Sequence, residues 1–142
     1  MAAEQENKYH LLVERYFGLL NNPASTLEDL KSFLHAEIVW QEMPNRFAPT
    51  GRINKYDEIM ATWEKGREFL PQQKFILRRV IVSADVAALE FSWRGMISKP
   101  LAGLSAGTEL SGHVASVLQF RDGQIISQTD YPCYDPIPDG AA

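Results

Sequence analysis

From Gln73 onward the chain changes texture: four runs of strand length, residues 73–83, 86–97, 110–121 and 125–134, follow one another, rich in β-branched and aromatic residues. Consecutive strands joined by tight connections pair antiparallel, which makes this half of the chain a meander. Ala84-Asp85 and Asp122-Gly123 mark two compact hairpin turns, the second more strongly because glycine accepts a positive φ. Between the second and third runs lies the longest irregular stretch of this half, residues 99–108, a candidate for a mobile rim. A sheet of this size exposes two faces, and at least one must be covered.

The first half supplies a cover. Tyr9, Leu12, Val13, Tyr16, Phe17 and Leu20 recur at the spacing of one helical face, and Asn21-Asn22-Pro23 ends the pattern. Ser25 followed by Glu28 reads as a capping box ahead of a short second helix carrying Leu27, Leu30, Phe33 and Leu34. Residues 43–52 read as loop, punctuated by Pro44, Pro49 and Gly51, and Asn54 with Asp57 reads as the cap of a third helix. Its stripe is Tyr56, Ile59, Met60, Trp63 and Leu70, and Pro71 stops it. Helices first and strands last predict an α+β domain, with three helices packed on one face of a curved antiparallel (mixed) sheet.

The two halves meet at Ile38-Val39-Trp40-Gln41-Glu42-Met43-Pro44-Asn45, a strand-like run that ends in an acid and breaks at proline. A carboxylate there, facing a cavity lined by Trp40, Trp63 and Tyr16, is partly desolvated, which raises its pKa toward the range useful for proton transfer. Asn45 and Arg46 follow it as candidates for the pocket mouth; turn chemistry and a surface ion pair are their plainer readings. In the run 114–120 both alternating sets are largely apolar, with Val114, Leu118 and Phe120 on one side and Ala115 and Val117 on the other. The second face therefore also calls for a cover, most simply a homodimer.

Several function classes are excluded by what the chain contains. With 142 residues, 45% hydrophobic and a net charge of -4 spread along the sequence, it reads as one globular domain over 1–142, ordered from about residue 8 to about 136, without a basic stripe for nucleic acid or membrane lipid. The single cysteine, Cys133, has no partner for a disulfide and reads as a small buried thiol in a reducing, cytoplasmic setting. No zinc-ligand spacing, serine elbow, phosphate loop or dinucleotide fingerprint appears, so no metal or cofactor is expected. His113 alternates away from Ser116 and falls on the opposite face, while His10 and His35 read as surface residues near helix ends.

Three segments resemble the nuclear transport factor two-like superfamily, which includes ketosteroid isomerases, polyketide cyclases and limonene epoxide hydrolases. They are Glu14-Arg15-Tyr16-Phe17, then His35-Ala36-Glu37-Ile38-Val39-Trp40-Gln41-Glu42 with Gly51 nine residues on, and Phe120-Arg121-Asp122-Gly123-Gln124-Ile125. The similarity spans roughly residues 8–136 and leans toward the bacterial polyketide-cyclase-like branch. It implies Glu42 at the position of the isomerase general base and Tyr16 at that of its hydrogen-bonding tyrosine. Ser116 falls where the isomerases carry a second, protonated carboxylic acid. Asp130, with Ile126 and Gln128 turned the same way, resembles the acid that polyketide cyclases place near the end of the last strand.

The leading expectation is a cofactor-independent acid/base enzyme acting on a small apolar carbonyl or cyclic compound. Glu42 abstracts a proton or activates water, Asp130 returns it, and Tyr16 polarises an oxygen, while Trp40, Trp63, Ser116 and Gln128 line the site. The alternatives are a non-catalytic binding or dimerisation module, and an epoxide-hydrolase-like water activation that needs an Asp-Arg-Asp relay, for which Arg94 is the available arginine.

Overall fold

The structure, a computed structural model, describes residues 2–137; Pro138 and the chain end after it, expected to fray, lie outside the described residues. Helix α1 (Ala2–Asn21) starts ahead of the expected ordered core, because alanine, glutamate and glutamine extend the first turns at low conformational cost. It buries Tyr9, Val13, Tyr16, Phe17 and Leu19, with Tyr9 stacked on Phe120 at 4.3 Å. The capping box of α2 (Leu27–Lys31) lies one residue later than the sequence suggested. Thr26 and Asp29 form it, because the Ser25 hydroxyl turns back to donate to the Leu19 carbonyl at 2.8 Å. Leu34 then leaves the helix to open a longer first strand, β1 (Leu34–Glu42).

Residues 52–55 form a strand that the sequence reading assigned to loop and cap: β2 (Arg52–Lys55) pairs antiparallel with β1, Arg52 opposite Glu42. The N-cap of α3 (Tyr56–Phe69) is consequently Lys55, whose N–H donates to Glu58. Pro44 cannot donate to a ladder, which ends β1, and Gly51 turns the chain back at φ 74°. A Cβ on Gly51 would lie 2.7 Å from the Glu42 carbonyl oxygen. Gly51→Ala is therefore expected to cost about 1–3 kcal/mol in a urea titration; a loss below about 0.5 kcal/mol would show that this turn relaxes freely.

The remaining strands are β3 (Gln73–Ser83), β4 (Val86–Met96), β5 (Glu109–Arg121) and β6 (Gln124–Tyr134), and the six-stranded sheet runs β2-β1-β6-β5-β4-β3. Every pairing is antiparallel except β1 with β6, which brings the end of β1 beside the end of β6. One irregularity sets the phase of the last strand. Phe120 pairs with Ile125 and Gln119 with Ser127, so Ile126 is an extra residue. Ile125, fully buried, takes the core position expected of Ile126, while Gln128 and Asp130 still face the helices.

The core joins α1 and the inner faces of β3 to β6 through Val13, Phe17, Leu89, Phe91, Leu118 and Phe120. The 99–108 stretch is a seated loop: Ile97, Leu104 and Leu110 form a second apolar cluster, and Lys99 pairs with Glu68 of α3. On the other flank of α3, Arg67 lies 4.5 Å over the Trp63 ring and donates to the carbonyls of Pro23 and Ser25. Helices and sheet thus enclose a space between them. Among the described residues no helix is long and apolar enough to cross a membrane.

Candidate functional site

The enclosed space is a cavity of about 870 Å³, mostly apolar, lined by residues of α1, α3 and the inner sheet face. Its polar end is a single cross-strand row. Arg52, Glu42, Asp130 and Ser116 are successive register partners on β2, β1, β6 and β5, and the row continues into Leu89 and Val80. Because successive residues of a strand point to opposite faces, the neighbouring inner row, Trp40 with Gln128, also faces the cavity.

Asp130 is the hub of this row. It is 9% exposed. Trp40 Nε1 donates to Oδ2 at 2.7 Å, Gln128 Nε2 donates to Oδ1 at 3.0 Å, and the Ser116 hydroxyl donates to Oδ1. No cation among the described residues pairs with it. Burial pushes its pKa up, and the hydrogen bonds from Ser116, Gln128 and Trp40 pull the other way without cancelling the effect. Tyr16 also lines the cavity, its hydroxyl without a hydrogen-bond partner among the described residues. Its pKa is raised by burial and, next, by the negative charge of Asp130, so the phenol stays protonated and is a donor.

This arrangement has a spectroscopic consequence. In a Trp63→Phe/Trp93→Phe background, Trp40 emission should titrate with Asp130, at a midpoint above the ordinary carboxylate value of about 3.9. A transition at or below that value, or one that persists in Asp130→Asn, would contradict the coupling.

Glu42, the acid ranked first from sequence, stands differently. Its side chain is 12% exposed, and Arg52 Nε lies 3.0 Å from Oε2 without an N–H aimed at that buried oxygen. The carboxylate accepts no hydrogen bond from any described residue. Tyr134 lines the same cavity with its ring packed against Phe47 and Trp93. Burial, then the Glu42 charge, push the Tyr134 hydroxyl up to about 12, against the opposing effect of Arg52.

The structure therefore gathers Tyr16, Trp40, Glu42, Trp63, Ser116, Gln128 and Asp130 around one cavity. Asn45 and Arg46 are not among its lining. The Asn45 side chain accepts from the backbone N–H groups of Phe47 and Ala48 and donates to the Met43 carbonyl, stabilising its own turn, and Arg46 is exposed. Arg94 is exposed on the outer side of β4, so no Asp-Arg-Asp relay forms around it. Cys133 is exposed on the outer face, not buried, because it alternates with the inward Pro132 and Tyr134. His113 lies on the outer face, 3.5 Å from Ser92. His35 belongs to β1, half-buried, its Nδ1 accepting from the Glu37 N–H. Arg52 and Tyr134 were missed: β2 is too short and polar to read as a strand, whereas extending the alternation from Asp130 would have found Tyr134.

A cone of three helices closed over a curved mixed sheet, with its acids at the cavity end of the first and last strands, defines a nuclear transport factor two-like protein. Within that superfamily the chain belongs to the SnoaL-like domain family, which matches residues 13–128. Solved structures agree on the fold. AclR from Streptomyces galilaeus, a candidate hydroxylase, superimposes with a TM-score of 0.74 at 16% identity over 89% of this chain and 79% of its own. IdmH from Streptomyces antibioticus, a candidate polyketide cyclase, gives 0.70 at 17% identity over 85% and 88%. A hypothetical protein with a ketosteroid isomerase-like fold from Catenulispora acidiphila, solved with trimethylamine, gives 0.67 at 15% over 84% and 83%. No curated protein matches the sequence.

Proposed function

We propose that the chain is a cofactor-independent proton-transfer enzyme acting on a small, largely apolar cyclic carbonyl compound. The observation that carries this reading is Asp130: a buried acid, met by no cation and held by three neutral donors, at the polar end of an apolar cavity. In the ionised state Asp130 takes a proton from the carbon beside the substrate carbonyl, and Tyr16 donates a hydrogen bond to the oxygen where the negative charge collects. Asp130 then returns the proton to another position. Trp40, Gln128 and Ser116 hold the carboxyl in one orientation, and Trp40 and Trp63 flank the ring.

SnoaL-like membership and the cyclase-like neighbours support a small-molecule ligand. The exposed, unpaired Cys133 suits a cytoplasmic setting. A second reading, a binding protein without chemistry, is favoured by Ser116, which offers a hydroxyl where the isomerases carry an acid. Deuterium wash-in from D₂O separates the two. Cyclic ketones sized to the cavity should exchange their α-hydrogens faster with the protein than in buffer. Ketones that bind without accelerated exchange would establish the binding reading instead.

A further inference from the structure

We infer that Gln73, held in place by Trp93, is a second recognition point of the cavity. It donates a hydrogen bond to an acceptor oxygen at the end of the ligand remote from Asp130. The inference rests on the proposed use of the cavity and narrows its substrate class to elongated cyclic carbonyl compounds that carry a second oxygen. Gln73 opens β3 opposite Gly95, and both Gln73 and Trp93 line the cavity. A Cβ on Gly95 would lie 3.2 Å from the Trp93 ring and 3.6 Å from Gln73 Cγ; without it, the glutamine crosses β4 to the indole. Trp93 Nε1 donates to Gln73 Oε1 at 2.9 Å. An indole nitrogen can only donate, so this bond fixes which end of the amide is oxygen and turns the NH₂ group away from the ring.

That NH₂ group is left over. Among the described residues nothing accepts from Gln73 Nε2. Two other amides at the cavity are committed to the protein itself: Asn21 exchanges both of its hydrogen bonds with the Phe75 backbone, and Gln128 donates to Asp130. Nor is the Gln73 nitrogen walled off. A Cβ built on Gly66 would lie 3.9 Å from Nε2 and, outside α3 itself, would meet nothing else within 4 Å. Trp93 lies four residues along β4 from Leu89, which pairs with Ser116 in the Asp130 row, so roughly 13 Å of strand separates the two polar points. Between them the wall is apolar, with the register pair Phe91 and Val114. A ligand that touches both points therefore has an apolar body, a carbonyl at one end and an acceptor oxygen at the other.

Calorimetric titration with 4-(4-methoxyphenyl)cyclohexanone, whose ether oxygen is the acceptor, and 4-(4-ethylphenyl)cyclohexanone, of similar shape without one, tests this. The ratio of the two affinities is compared between proteins, so that the greater hydrophobicity of the ethyl group cancels. In Gln73→Met, which removes the donor, the ratio should shift against the methoxy compound by roughly 3- to 10-fold, the contribution of a neutral hydrogen bond. Gln73→Glu keeps the acceptor for Trp93 and should shift it at least as far, because a carboxylate oxygen then faces the ether oxygen. Either variant suffices if the other fails to fold. A ratio unchanged from wild type in both would overturn the subsite while leaving the cavity as a ligand site; α-hydrogen exchange of the same ketones by the wild type judges the proton-transfer reading separately. Binding of neither ketone to the wild type would overturn the cavity reading itself, and the subsite with it.

Discussion

Asp130→Asn is expected to slow α-hydrogen exchange by roughly 10²- to 10⁴-fold, the contribution of a positioned general base. Asparagine keeps the shape but cannot hold the proton. Glu42→Gln should lose far less, because the charge it removes is already met by Arg52 and lies one strand away from Asp130. A smaller effect at Asp130 than at Glu42 would reverse the assignment. The pH dependence follows from the direction of the shift. A base with a raised pKa is protonated over a wider range, so exchange should climb as pH rises through that value and level off above it. Stability moves the other way. A carboxyl whose folded-state pKa exceeds its unfolded value binds its proton more tightly in the folded protein. Its contribution is present below the unfolded pKa of about 3.9 and is lost as pH rises through the folded one. The difference in Tm between Asp130→Asn and wild type should therefore move in the variant's favour from about pH 4 to about pH 8.

The second large effect lies on the outer face of the sheet. One row there, Ile81, Ala88, Val117, Thr129, Gln41 and Ile53, crosses all six strands without a charge. Ile53 is 62% exposed, Val117 41% and, in the next row, Tyr131 45%. Exposed apolar side chains gathered in one row mark a surface for association, and the proposal that two copies of the chain cover it makes a sharp prediction. Val117→Glu places a carboxylate in the middle of the row, uncompensated in both copies, at about 3–5 kcal/mol for each unpaired charge. Sedimentation should show a wild-type dimer and a Val117→Glu monomer, and the variant should keep its fold, since Val117 points away from the core. A wild type that sediments as a monomer at micromolar concentration would refute the interface.

The features legible in the sequence were those with a period. Tyr16 and Trp63 could be placed on inner helix faces, and Leu118 and Phe120 on an inner strand face, because burial repeats every three to four residues in helices and every two in strands. What stayed hidden depended on register between distant segments. Nothing near Glu42 in the chain reveals that Arg52 returns across a nine-residue loop to sit opposite it. The donors to Asp130 come from three strands, and Trp40 is 90 positions away. Ser25 was misjudged, and Asn45 stayed open between a turn and a pocket mouth, for a local reason: each has a short polar side chain that can serve its own backbone, and which bond forms depends on competing partners. The exposure of Cys133 followed from the same alternation that places Asp130 inward, an inference the chain already permitted.

The extra residue in β6 has a wider meaning. Asp130 and Tyr134 belong to one half of the alternating positions of that strand, Thr129 and Tyr131 to the other, and Ile126 is what aligns the even-numbered half with the helices. The proposed chemistry and the proposed assembly are thus written on the same strands in opposite parity. Removing one residue between Ser127 and Asp130, past the bulge, would exchange them, turning the acid out toward the partner and the contact surface in toward the substrate. Selection on either property therefore guards the other, and this stretch can tolerate many changes of residue but hardly any change of length.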